Sequence, residues 1–194
     1  MSQLSFQENI HKSKVNFDFI ARLRINNSLV GAIIKADGYS SGVHIGMGVD
    51  LSDCKDSDLR KMGLNPTLRG KLYPYLSRTG PNAKMYLNEH PLQLSEAEVD
   101  AINVGFQARC LGKLIKRYDS ASEVAFCDLP ECWQTVITSL EYRYKNLYKQ
   151  SPELWHMLIK QEWENVLSML QSSDGAFASQ HQHEADYVLA SEFR

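Results

Sequence analysis

Long apolar runs are missing from this chain. No stretch approaches the ~20 consecutive apolar residues of a membrane-spanning helix. Residues 1–15 (MSQLSFQENIHKSKV) lack the apolar core of a secretory signal. The expectation is a protein made in the cytoplasm, staying there or exported by a route without a Sec signal peptide, with no membrane partner. An excess of one charge is missing too: 21 Lys and Arg stand against 23 Asp and Glu, a net charge of −2. A nucleic-acid partner is therefore not expected, and near-neutrality favours a protein partner over an anionic wall polymer. Cysteine is sparse, and the spacings of Cys54, Cys110, Cys127 and Cys132 fit neither a zinc nor a redox motif. Cys110 and Cys132 fall on apolar faces of predicted helices, so buried free thiols are expected rather than disulfides. His181-x-His183 is too short and isolated to argue for a metal, and neither metal nor cofactor is expected. Repeats, low-complexity tracts and interdomain linkers are absent. So is glutamate, from the residue after Glu8 to the residue before Glu89.

What is present is an ordinary globular composition, 43% apolar and 23% charged over 194 residues, the size of one domain. Its most informative stretch runs from Asn16 to Asp50. Asn16 can cap a short helix whose Phe19, Ile20 and Leu23 share a face. Ala32-Ile33-Ile34 is a β-branched run, and Asp37-Gly38 is a turn pair of a hairpin. Gly42, Gly46 and Gly48 mark places where the backbone bends or approaches something closely.

The later segments read mostly as helix. Ser57 to Gly63 forms one or two turns ended by glycine, and Pro66 restarts a helix through Leu76. Tyr73-Pro74-Tyr75 reads as packing of a small lobe ahead of a sugar-stacking patch. Thr79-Gly80-Pro81-Asn82 is a turn cluster, read as a surface loop. Ser95 and Glu98 form a capping box, after which Val99, Ile102, Phe106, Cys110, Leu114 and Tyr118 keep helical spacing. Asp128-Leu129-Pro130 opens a helix with Trp133, Val136, Ile137, Leu140, Tyr144 and Leu147 inward. Ser151-Pro152-Glu153 opens the next. Trp133, Trp155 and Trp163 all lie on apolar helical faces, so core is their default role.

Two sets of residues carry a family resemblance. Leu23-Arg24-Ile25, Leu29, Ile33, Lys35, Gly38-Tyr39 and Ile45-Gly46-x-Gly48 resemble the pattern of phage T4-type lysozymes. Ser41-Gly42-Val43-His44-Ile45-Gly46-Met47-Gly48-Val49-Asp50-Leu51 resembles the pattern Ser-Gly-Val-Thr-Ile-Ala-Thr-Gly-Phe-Asp-Leu of pesticin-type bacterial toxins. The resemblance covers roughly residues 16 to 190. It implies an α+β, mainly α, lysozyme-like fold, with a small β-hairpin lobe and a larger helical lobe joined by a long helix beginning near Glu96. The expected organisation is an N-terminal extension, 1–15, and a lysozyme-like domain, 16–194. Within that domain the β-containing lobe covers about 16–94 and the helical lobe about 95–194.

Members of this group cut the glycan strands of peptidoglycan with a glutamate at the end of the first helix, an aspartate, and a threonine on the strand. An ungapped phage-like register puts Asn27 at the glutamate position, and a shifted pesticin-like register puts Arg24 there. No register supplies a glutamate. His44 stands at the threonine position, and Asp50 matches an acidic position of the pesticin motif. Glycoside hydrolysis needs a proton donor at the leaving oxygen, normally a carboxylic acid. Asn has no acidic proton and Arg stays charged. Losing a general acid costs on the order of 10²–10⁴ in rate.

No catalytic residue is therefore assigned; Asn27, His44 and Asp50, with Arg24 in the alternative register, are remnant cleft positions. An Asp37–Asp50 carboxylate pair reads more simply as a turn aspartate and a strand-end aspartate. A His44–Asp50 acid–base dyad reads more simply as a histidine filling the space left by threonine. The expected function is binding: a catalytically degenerate lysozyme-like protein in bacterial antagonism, as an immunity, adaptor or secretion-associated partner of a cell-wall-targeting toxin. The expected partner is a protein, with peptidoglycan as a second candidate. The alternative is an active peptidoglycan muramidase, a pesticin-type effector or phage lysin with a rearranged site.

Overall fold

Asn16 starts the described fold as its sequence suggests. Its side-chain oxygen accepts from the Phe19 amide and caps helix α1, Phe17–Arg22. Ile20 is its buried residue, and Phe19 stacks on Tyr187 with ring centroids 4.0 Å apart. The structure is a computed structural model that describes residues 12–23, 27–34, 41–175 and 177–192. Arg24 and the Asp37-Gly38 turn lie outside the described residues.

A three-stranded antiparallel sheet follows, β1 (Ser28–Ile33), β2 (Val43–Gly46) and β3 (Val49–Asp50), in that order. The register pairs Ile33 with Val43 and Ile45 with Val49. Val43, Ile45 and Val49 are fully buried, so one face of the sheet is core. Ala32, His44 and Asp50 pair across the strands on the other face. Between Ser28 and Ala32 the register shifts by a bulge. Gly31 lies in that irregular stretch, where an added Cβ would stand 2.9 Å from Val43 Cγ1 and 3.0 Å from Leu92 Cβ.

Helices α2 (Asp56–Lys61) and α3 (Pro66–Leu72) come next, and a 3-10 turn at Tyr73–Tyr75 ends the second because Pro74 interrupts the amide ladder. Of its aromatic pair, Tyr75 is buried and Tyr73 is 64% exposed. Residues 79–82, expected as a surface loop, instead open helix α4, Gly80–Glu89. Thr79 takes the N-cap position and Pro81 sits in the first turn, where its missing N–H has no partner to lose. Turn chemistry and helix-start chemistry share these residue types. The sequence lacked the apolar periodicity that tells them apart, and only Ala83 of α4 is buried.

The long helix is α5, Glu96–Asp119. Its capping box is made: the Ser95 amide donates to Glu98 Oε2 at 2.9 Å and the Glu98 amide to Ser95 Oγ at 3.3 Å. Helix α6, Glu131–Tyr144, is buried continuously from Cys132 to Tyr142 and is the centre of the helical core. Lys145 ends it in the left-handed region, so Leu147 belongs to the short helix α7, Leu147–Gln150. Then come α8 (Pro152–Lys160), α9 (Trp163–Gln171) and α10 (Ala178–Glu192). The fold is α+β and mainly α, as expected. No helix of the described residues is long and apolar enough to cross a membrane.

Contacts divide the chain into two compact units, Met1–Leu23 with Cys110–Arg194, and Arg24–Arg109. The division falls inside α5: Val99 and Ile102 are buried residues of the β-containing unit, and Leu111, Leu114 and Tyr118 pack in the helical core. Helix α1 counts with the helical unit, tied by the Asn16 amide to Thr135 Oγ1 at 2.9 Å and by Phe19 to Tyr187. In that unit Trp133 stacks on Trp163 at 4.3 Å, and Trp155 meets Tyr118 edge-on at 6.1 Å.

None of the four cysteines is in a disulfide; Cys54 and Cys132 are buried, Cys110 and Cys127 half-buried. Cys110 is thus less covered than its helical face suggested, and it is the residue at which the chain re-enters the helical unit.

Candidate functional site

The two candidate positions on the sheet come together. His44 on β2 pairs with Asp50 on β3, and Nε2 of the histidine lies 3.6 Å from Asp50 Oδ2. The other ring nitrogen, Nδ1, is 3.3 Å from the Gly48 carbonyl oxygen. A carbonyl only accepts, so Nδ1 carries the proton of that contact. Nε2 is closed off from solvent and has no hydrogen-bond partner. Both nitrogens therefore point inward, one at a backbone carbonyl and one at a carboxylate. A general base or acid needs one ring nitrogen open to the reacting group. His44 offers none.

Asp50 is committed as well. Its Oδ1 accepts from the Ser52 amide at 3.0 Å and the Ser52 hydroxyl at 2.7 Å, capping the 3-10 turn Leu51–Asp53. The residue is 7% exposed. Gly42 covers it: a Cβ there would stand 2.7 Å from Asp50 Oδ1, 2.5 Å from Ser52 Cβ and 2.8 Å from the Arg78 carbonyl. That is the physical reason for glycine in the Ser41-Gly42-Val43 part of the motif. Beside it, the Cys54 thiol lies 3.7 Å from the Asp50 carbonyl oxygen and is pushed up to about 11 by burial. At neutral pH it stays a thiol and supplies no nucleophile.

Asn27 stands elsewhere on the same unit, at the opening of β1. It is exposed, and its side-chain oxygen accepts from Asn103 Nδ2 at 2.7 Å. Asn103 Oδ1 in turn accepts from the Met47 amide at 3.0 Å. One asparagine of the long helix thus ties the start of β1 to the β2–β3 turn. Gly46 makes room for it: φ is +59°, and a Cβ added there would stand only 2.4 Å from Asn103 Oδ1. Asn103 had no motif around it in the sequence and was missed. A polar residue in the first turns of a helix whose neighbours Val99 and Ile102 are buried was the available signal.

In the helical unit, buried charge serves packing. Arg143 forks onto Glu184 with bonds of 2.9 and 2.6 Å, and the Ser139 hydroxyl donates to the same carboxylate at 2.5 Å. Glu184 has no solvent exposure. His181 next to it bonds Ser173 Oγ through Nδ1 at 2.7 Å and approaches the Tyr144 hydroxyl through Nε2 at 3.4 Å. His183 is bonded separately to the Ser179 carbonyl, so the two histidines serve different partners. Among the described residues no group of three or more His, Cys, Asp or Glu side chains is placed to hold a metal ion.

Hydrolysis at this site would need a carboxylic acid at the leaving oxygen and a second carboxylate within ~5–9 Å of it. Position 27 carries an amide bonded to a second amide, position 44 an imidazole with both nitrogens turned inward, and position 50 a capping carboxylate. Among curated proteins, none matches this chain. A family model does: one described as a bacterial toxin homologue of phage lysozyme, C-terminal, fits residues 14–164, a span holding all three positions and most of both units. The fold, the glycine-punctuated strand and that match agree, and the chain belongs to the pesticin family of phage-lysozyme-like bacterial toxins.

Proposed function

We propose that this member of the lysozyme-like family does not cut glycans and acts by binding. Its role is in bacterial antagonism, as an immunity, adaptor or secretion-associated partner of a cell-wall-targeting toxin, and its ligand is a protein. The observation that supports this most strongly is His44, whose two ring nitrogens face the Gly48 carbonyl and the Asp50 carboxylate. With Asn27 in place of an acid, no described group at these positions can deliver a proton to a leaving oxygen. Family membership supports the coarser reading, a relative of glycan-cutting enzymes, and fold alone does not transmit activity.

The test is muropeptide release from purified peptidoglycan, run beside a pull-down against toxins of the same family. The reading expects release no faster than buffer and retention of a protein. Robust release that Asp50→Asn abolishes would overturn it and assign a muramidase with a rearranged site.

A further inference from the structure

The last turns of helix α5 carry a feature that the sheet site does not use. Lys113, Lys116 and Arg117 share one side of the helix, at spacings of three and four residues. With Ala121, Tyr148 and Trp155 they line an open groove in the helical unit. Among the described residues no carboxylate lines it, although the chain as a whole carries a net charge of −2. Lys113 and Lys116 are exposed and form no salt bridge among the described residues. Tyr148 is 47% exposed.

The floor of the groove is packed from beneath. Trp155 is 6% exposed and fixed edge-on against Tyr118, whose hydroxyl donates to the Leu158 carbonyl at 2.9 Å. Arg117 donates to Glu141 Oε1 at 2.8 Å while Glu141 Oε2 accepts from the Leu147 amide at 2.9 Å. The guanidinium carbon lies 5.9 Å from the Tyr148 ring centre. Glu141 thus holds Arg117 and the start of α7 together, and with them the wall formed by Tyr148. The free positive charge at the rim is that of the two lysines.

We propose that this groove docks an acidic segment of a partner protein, one apolar side chain lying on Trp155 and Tyr148 and flanking carboxylates meeting Lys113 and Lys116. The chemistry decides among occupants. An aromatic floor with a basic rim suits an apolar anchor between acids. A nucleic acid needs a track of cations along several phosphates. Here the cations span about one turn of a single helix, ~6 Å of axis, on a molecule of net negative charge. A segment of one to two turns fills such a site. The proposal rests on the binding reading only for its statement that the ligand is a protein.

The experiment is an amide and indole NMR titration of the full chain with a synthetic probe, a labelled peptide with one tryptophan flanked on each side by two glutamates. Its lysine-flanked counterpart and purified soluble muropeptides serve as comparators. Shifts should localise to Ser120, Ala121, Tyr148 and the Trp155 indole. Lys113→Glu with Lys116→Glu should weaken binding about tenfold or more, equivalent to at least ~1.4 kcal/mol. Tyr148→Ala should weaken it with the charges intact, and added salt should weaken the wild type. Equal binding of the lysine-flanked peptide, shifts elsewhere, or indifference to the charge reversal would overturn the proposal. So would muropeptides displacing the acidic probe from the groove. The substituted positions are all at the surface, so the folded spectrum itself verifies that the variants remain intact. A failed titration leaves the absence of hydrolysis untouched, and muropeptide release leaves the groove to be judged by the titration.

Discussion

His181 makes the helical unit acid-labile over a defined window. The residue is 7% exposed, and burial first, then the neighbouring Arg143 guanidinium, lowers its pKa from 6.5 to about 4. Above pH 6.5 the ring is neutral in both folded and unfolded chains and contributes no pH dependence. Between 6.5 and about 4 the unfolded chain binds a proton that the folded chain refuses. Stability therefore falls as pH falls, by about 1.4 kcal/mol per unit. Below about 4 both states are protonated and the loss is complete, at roughly 3 kcal/mol. By pH 5 it amounts to about 2 kcal/mol. The perturbation is His181→Asn, which keeps a short polar group facing Ser173 and removes the titration. Urea denaturation followed by tryptophan fluorescence is the assay, since Trp133, Trp155 and Trp163 lie in the same unit as His181. Between pH 7.5 and 5.0 the wild type should lose about 2 kcal/mol more than the variant. Equal losses would refute the burial argument, as would a His181 ring proton that titrates above pH 6.

Three further outcomes follow from packing. Glu184→Ala strands the Arg143 guanidinium, whose side chain is 8% exposed, and should destabilise by about 3–5 kcal/mol in the same denaturation assay. Gly46→Ala should lower the melting temperature more than Gly63→Ala. Both glycines have positive φ, +59° and +76°, but only the first would meet a neighbour, Asn103 Oδ1 at 2.4 Å. In the native protein at pH 8, a thiol reagent should label half-buried Cys110 and Cys127 before Cys54, whose pKa stands near 11. Fast labelling of Cys54, located by peptide mass mapping, would contradict the packing around Asp50.

What the sequence made legible had short-range chemistry. The Asn16 cap, the Ser95–Glu98 box and the Pro152 helix start each depend on residues within one turn, and each is found. The glycine-punctuated motif marked the stretch that forms β2, in which Val43 and Ile45 are buried and His44 half-buried. The helix at Gly80–Glu89 was hidden because its opening residues are equally good turn formers and it buries almost nothing. The contact division inside α5 leaves no local mark either, because Val99, Ile102, Leu111, Leu114 and Tyr118 keep one helical spacing throughout. At the candidate site, the motif singled out His44 and Asp50 but not the β2–β3 register that makes them neighbours. It gave no sign that Ser52 and Gly48 engage them, since those bonds depend on side-chain direction. Asn103, fifty-six residues from Met47, is a long-range partner that no local pattern announces.

The central question is whether positions 27, 44 and 50 can support glycan cleavage. The decisive measurement compares three proteins on purified peptidoglycan by chromatography of released muropeptides: the wild type, Asp50→Asn, and the double variant Asn27→Glu with His44→Thr. Asn27 is exposed and meets Asn103 through its side-chain oxygen, so a glutamate there keeps an acceptor for that bond. No release above buffer is expected from the first two. From the double variant weak release at most is expected, because a misplacement near 1 Å costs on the order of a hundredfold. Vigorous release by the wild type that Asp50→Asn abolishes would contradict the binding reading.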